Sequence, residues 1–303
     1  MSTSHAAAAA RFIENMERTS WHNQSLWFVR QKRDRVSKQL PEWEELRQLA
    51  HDIKRYNVTH LDSLLERFEA QAQANGVTVH WAVDAEEHNR IVHELLAQHG
   101  VKRLVKSKSM LSEECELNAY LMARGIDVIE SDLGERILQL MHQHPSHIVM
   151  PAIHIKREEV AELFAREMGT EPGNSDPTYL THAARANLRR HFLEADAAMT
   201  GGNFAIAETG EVVVCTNEGN ADMGMACQKL NICSFGIEKV IESLDQLAVF
   251  QRLLARSATG QASTTYTSSF RKPQEGGELH FVIVDNGRSQ IIANKEHDKL
   301  LNC

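Results

Sequence analysis

Three clusters in this 303-residue sequence combine residue types that could do chemistry. The first is Lys106-Ser107-Lys108-Ser109, with Ser112-Glu113-Glu114 opening a helix just after it. Ammonium groups, hydroxyls and free helix N–H groups at the end of a strand favour an anion. A solvated turn with two surface lysines accounts for the same residues. The second is Glu130-Ser131-Asp132-Leu133-Gly134-Glu135. Three close carboxylates can bind a metal, act as a base or cap a helix. Asp132 with Glu135 three residues on is a capping-box variant, which accounts for those two and leaves Glu130 open. The third runs from Thr200 through Gly201, Gly202 and Asn203 to Glu208-Thr209-Gly210, and on to Thr216-Asn217-Glu218-Gly219-Asn220. Paired glycines allow close backbone approach to a ligand. Amides and carboxylates beside the apolar Val212-Val213-Val214 run suit a small polar molecule, although Asn-Glu-Gly-Asn is also good turn chemistry.

Other constellations are weaker. His142, His144 and His147 are interrupted by Pro145 and imply no ligand geometry. The five cysteines, at 115, 215, 227, 233 and 303, form no CxxC, and an odd, irregular set fits a reducing cytoplasm better than a disulfide scaffold. Walker A, GxGxxG and GxSxG signatures are absent.

The elements that position these clusters are legible from periodicity. Residues 5–74 read as helices, with Pro41 at a first turn and Leu61, Leu64, Leu65 and Phe68 forming an apolar stripe. From Gly76 the texture changes to alternating short strands and helices. Strands are expected at 77–82, 103–105, 126–129 and 147–150, with Asp84 and Glu87 capping the helix after the first. From Asn203 the pattern is richer in strands, with a hairpin signal at Thr209-Gly210, strands at 231–235 and 279–284, and a helix over 241–254. The implied fold class is α/β, a mostly parallel sheet with flanking helices. The expected organisation is an N-terminal helical extension over 1–75 and an α/β domain over 76–303.

Composition narrows the function classes. A net charge of −8 and a pI near 6.1 argue against nucleic acid as a partner. No stretch approaches the roughly 18 apolar residues that span a bilayer, and the N-terminus lacks a secretory signal's basic and apolar regions. A cytoplasmic protein is expected.

Eight segments, in order and with natural spacing, resemble one family. They are 105–114, 130–135, 145–154, Ala207-Glu-Thr-Gly210, 216–220, Gly236-Ile-Glu-Lys239, Arg256-Ser-Ala-Thr-Gly-Gln261 and Asp285-Asn-Gly-Arg-Ser289. Together they are similar to the lactate-utilisation (LUD) domain of the iron–sulfur subunit of the L-lactate oxidation complex. The resemblance covers roughly residue 40 to the end, and residues 226–235 depart from the family pattern. It implies a fold like that of the CoA-transferase, ribose-phosphate isomerase and glucosamine-phosphate deaminase superfamily. It further implies a non-autonomous subunit of an L-lactate dehydrogenase complex, converting lactate to pyruvate with other subunits as partners. Family members continue into a region carrying 4Fe–4S clusters. Cys303 falls where the first cluster cysteine would stand, so a shortened product is expected that binds no cofactor of its own.

The candidate site residues follow. Lys106, Ser107, Lys108, Ser109, Glu130, Asp132, Gly202, Asn203, Thr209, Asn217, Glu218 and Asn220 are expected to bind a small carboxylate or other anion, and Cys303 to be a metal ligand only in a longer chain. Glu208 is the candidate catalytic residue, with the loops at 106–109 and 130–132 converging on the hairpin that carries it. Two other readings stay open. One is a stand-alone acyl or CoA transferase, or a sugar-phosphate isomerase, using that strand-end glutamate as nucleophile or base. The other is a scaffold that binds partner subunits through its N-terminal helices.

Overall fold

The structure is a computed structural model and describes residues 5–294, 296–297 and 300–301. Helices α1 (His5–Glu14), α2 (Met16–Ser37), α3 (Trp43–Thr59) and α4 (Leu61–Ala74) precede the first strand. There follow β1 (Thr78–Ala82), α5 (Ala85–Gln98), β2 (Arg103–Lys106), α6 (Met110–Glu114), α7 (Leu117–Met122) and β3 (Asp127–Glu130). Helices α8 (Leu133–Met141), α9 (Arg157–Met168) and α10 (Pro177–Glu194) lead to β4 (Ala197–Gly201). The last third holds β5 (Phe204–Ile206), β6 (Glu211–Thr216), α11 (Asn220–Cys227), β7 (Leu230–Gly236), β8 (Val240–Ile241), α12 (Leu244–Ala258), β9 (Tyr266–Phe270), β10 (Glu278–Val284) and α13 (Arg288–Ala293).

The expected α/β architecture is present. Six strands form one sheet in the order β1-β10-β7-β4-β2-β3, and every pairing in it is parallel. A parallel sheet must be covered on both faces, and its strands alternate between two cores. Ile232, Val282 and Val284 face a core shared with Val92 and Leu96 of α5 and Leu117 and Leu121 of α7. Cys233, Phe235, Phe281 and Ile283 face the other, filled by Phe68 and Ala72 of α4 and by Ala205 and Val212 of a second sheet. That sheet has the order β8-β5-β6-β9. Among the described residues no helix is long and apolar enough to cross a membrane.

Asp84 caps α5 as expected, accepting from the Glu87 N–H at 2.9 Å while Glu87 reaches back to the Val83 N–H at 3.0 Å. Helix gives way to strand near residue 75, yet α4 is part of the core. Phe68 is fully buried and stacks with Phe281 at 5.8 Å between ring centroids. The strand expected at 147–150 does not form. The His147 ring takes the N–H groups of Val149 and Met150, each at 3.1 Å, and closes a turn that no ladder can use. The hairpin between β5 and β6 is also looser than a two-residue turn, because Ile206 pairs with Glu211 and leaves four residues between them.

Candidate functional site

From β2 the chain crosses to β3 on one side, whereas β4 lies on the other side of β2 and continues to β7. This reversal opens a crevice at the carboxyl ends of β2 and β4, where open α/β sheets bind ligands. A cavity of about 380 Å³ occupies it, within the range of small-molecule sites. The loop after β2 contributes Ser107, Lys108 and Ser109, and the loop after β4 contributes Gly202 and Asn203. Asp132 follows β3, Glu238 and Lys239 follow β7, and Arg288 follows β10. Asn217, Glu218 and Asn220 close the side formed by the end of β6.

Most of the expected binding residues therefore meet in one place, and several also have structural duties. Ser109 caps α6 and Asp132 caps α8, each accepting a backbone N–H three residues on. The Asn203 amide oxygen accepts the Cys215 N–H at 2.8 Å, and Asn217 ties the 261–265 loop to the rim.

Lys106 and Glu130 do not reach the cavity. They lie beneath it as an ion pair 2.7 Å apart, with 1% and 2% of their side chains exposed. Ser112 accepts a hydrogen bond from Lys106, and Asn118 donates one to Glu130. Both side chains point into the protein because β2 and β3 are covered there, so the lysine that faces the ligand space is Lys108. Its ammonium donates to the Val149 carbonyl at 3.0 Å and lies 3.9 Å from Glu135. Glu135 is not the reciprocal half of a capping box. Its carboxyl is buried, and burial, followed by the neighbouring Glu113 carboxyl, pushes it up to about 8 against the pull of Lys108.

Glu208 and Thr209 lie outside the cavity, which corrects the expected convergence. Glu208 is exposed at the hairpin turn. Strand β5 leads away from Asn203 through Phe204–Ile206, roughly 10 Å of extended chain, before the turn that carries Glu208. There the turn is clamped by α4, whose following residue Asn75 donates to the Thr209 carbonyl at 2.8 Å. The strand-end glutamate that does line the cavity is Glu238. It is buried, with Arg288 at 2.7 Å and Lys239 at 3.4 Å. Arg288 also grips Glu114 at 3.0 Å. Burial alone would lower the Arg288 pKa, but Glu114 and Glu238 outweigh it and the guanidinium is held above its ordinary value. Residues 236–239 and 285–289 stood among the resembling segments, the one sequence signal that pointed to Glu238 and Arg288.

Gly236 is closely packed at this corner. A Cβ there would fall 2.1 Å from the Glu238 carboxylate and 2.4 Å from the Arg288 guanidinium. Gly236→Ala should lower stability by about 1–3 kcal/mol through overpacking. An unchanged melting temperature would show that the corner has slack.

The described cysteines do not fit an iron–sulfur cluster. Cys115 and Cys233 are buried in apolar cores, burial raises both thiols, and no group of three possible ligands comes together among the described residues. Cys303 lies outside the described residues.

Comparison with known proteins places the chain. The LUD domain profile matches residues 65–292. "Lactate utilization protein B" of Geobacillus thermodenitrificans is 42% identical over 275 residues, covering 88% of this chain and 57% of that protein. The protein of the same name from Bacillus licheniformis is 40% identical over 282 residues, covering 91% of this chain and 59% of that one. The chain thus spans a little over half the length of these relatives. A crystal structure of a DUF162 family protein from Deinococcus radiodurans aligns with a TM-score of 0.41 at 13% identity, covering 74% of this chain and 98% of that one. The match over 65–292 and the extended identity to these relatives show that this chain belongs to the LUD domain family.

Proposed function

We propose that this chain is the anion-binding part of a lactate-utilisation protein and takes a small carboxylate, such as lactate, in the cavity between β2 and β4. The carrying observation is Lys108. It lines a switch-point cavity, and its one ion-pair contact among the described residues is the long 3.9 Å approach to Glu135, while Arg288 and Lys239 are held closer by Glu114 and Glu238. The names of the relatives support lactate utilisation as the process. In this reading the chain acts in the cytoplasm as a subunit of an iron–sulfur oxidoreductase complex that converts L-lactate to pyruvate. Electron-carrying clusters belong to regions other than the described residues, since the cysteines here do not suit them. The chain's own task is to hold the acid: Lys108 takes the carboxylate, and the Glu238–Arg288 pair supplies a fixed polar wall.

Glu238 also gives the transferase reading one observation, because a buried strand-end glutamate does face the cavity. Its pairing with Arg288 and Lys239 suits charge balance better than nucleophilic attack. A CoA-ester adduct on Glu238, seen by mass spectrometry, would reverse that judgement.

Lys108→Ala should weaken binding of L-lactate about tenfold or more, the worth of one charge-assisted hydrogen bond. Equal affinities of wild type and variant by calorimetry would remove the cavity's anion assignment. At the level of the process, the longer protein with its partners should reduce a dye with lactate as donor, and the same substitution should raise its KM.

A further inference from the structure

We infer that Glu135 is a positioning residue for the lactate-utilisation site, setting how much positive charge Lys108 presents to the cavity and turning anion binding down under alkaline conditions. This rests on the reading of the cavity as an anion site. The argument begins with placement. Glu135 sits in the first turn of α8 and is only 4% exposed, and its Oε1 atom has no hydrogen-bond partner. Lys108 lies 3.9 Å from that atom. An ionised carboxylate and an ammonium in contact close to about 2.7–2.9 Å, so the separation fits a carboxyl that holds its proton.

The groups facing Glu135 explain why it keeps that proton. Glu113, from α6, lies beside it and shares a side-chain hydrogen bond with it, and Glu130 approaches from β3. Glu130 is already engaged by Lys106 and Asn118 and has no need of Lys108. In the 145–154 turn, burial and then Lys108 lower the His147 pKa, which disfavours a second cation beside Lys108. Arg136, next on α8, has Asp127, Glu130 and Glu167 as its nearest charges, so it adds no cation at Glu135. Burial beside a second carboxyl therefore holds Glu135 neutral up to about pH 8.

Two states of Lys108 follow. With Glu135 protonated, the ammonium is anchored by the Val149 carbonyl, and its charge remains available to a ligand. With Glu135 ionised, the ammonium gains a buried carboxylate and the ligand loses its counter-charge.

The test is calorimetric titration of the purified chain with sodium L-lactate, and separately with sodium sulfate, at intervals from pH 7 to pH 9. Neither probe changes charge over that range. Wild-type affinity should fall about tenfold between the two ends, following a group that titrates near 8. Glu135→Gln should change less than twofold. Removing the second carboxyl with Glu113→Gln should move the wild-type midpoint to lower pH, which decides the matter if Glu135→Gln fails to fold. A flat wild-type profile, or the same fall in Glu135→Gln, overturns the inference while leaving the anion site intact. Failure of both probes to bind at pH 7 overturns the anion site and the inference together.

Discussion

Lys106→Met should cost about 3–5 kcal/mol of folding stability, the largest single-residue effect expected in this molecule. Removing the ammonium strands the Glu130 carboxylate in a space from which water is excluded, with the Asn118 amide as its hydrogen bond and Arg136 as a more distant charge. Its second oxygen already has no hydrogen-bond partner. The penalty belongs to the abandoned charge rather than to the lost attraction, so it should be reversible. The double variant Lys106→Met/Glu130→Gln should recover more than half of the deficit, because a neutral amide can still accept from Asn118. Urea unfolding of the three proteins measures this. If the double variant is no better than the single one, the pair matters for shape and packing and the charge argument fails.

Glu135→Gln should do the opposite and stabilise the fold. A carboxyl whose pKa rises from 4.5 to about 8 on folding binds its proton more tightly in the native state. Its contribution to stability is complete below about pH 4.5 and is lost as pH rises through 8. Wild type therefore loses stability across that window, whereas the variant has nothing to titrate. The advantage of Glu135→Gln should be small at pH 5 and reach on the order of 3 kcal/mol at pH 8, or roughly 5 °C or more in melting temperature. Melting curves at the two pH values suffice. An advantage that is the same at both would place the effect in packing rather than in the proton.

Much of the frame was legible because local and global signals agree. Strands β1, β2, β3, β7 and β10 are apolar runs between helix stops and caps, and a parallel sheet follows from their alternation with helices. Strand β4 was not legible. Its five residues, Ala197-Ala198-Met199-Thr200-Gly201, carry one β-branched residue and end in glycine, and β-propensity measures fit to a pleated surface rather than a backbone preference. Its small side chains answer to α11 instead, since a Cβ on Gly224 would stand 3.2 Å from the Ala198 Cβ. Residues 147–150 erred in the other direction: an apolar, β-branched segment became a turn because a histidine ring takes its N–H groups.

The site divides in the same way. Loops after parallel strands share an edge of the sheet, so Ser107, Lys108, Ser109 and Asp132 could be grouped from sequence. Which of two nearby lysines faces the cavity could not, because Lys106 and Lys108 differ only in what covers them. Glu208 looked central from its position beside a glycine-rich turn, but strand direction carries it away. Glu238 and Arg288 meet only because β7 and β10 are neighbours, a pairing that no local pattern announces.

The same neighbour relation governs how the chain reaches its fold. Strand β1 has one partner, β10, with Thr78 set against His280 some two hundred residues later. During synthesis β1 and the apolar face of α4 must wait for nearly the whole domain to emerge. At about 5–20 residues per second that delay lasts on the order of ten seconds or more. Closing so long a loop is slow, and an unpaired strand beside exposed aromatic surface invites pairing with another chain. Holding such a nascent chain apart from its neighbours is work for a chaperone, and the yield of folded protein should respond to chaperone supply more strongly than the melting temperature of the finished molecule would suggest.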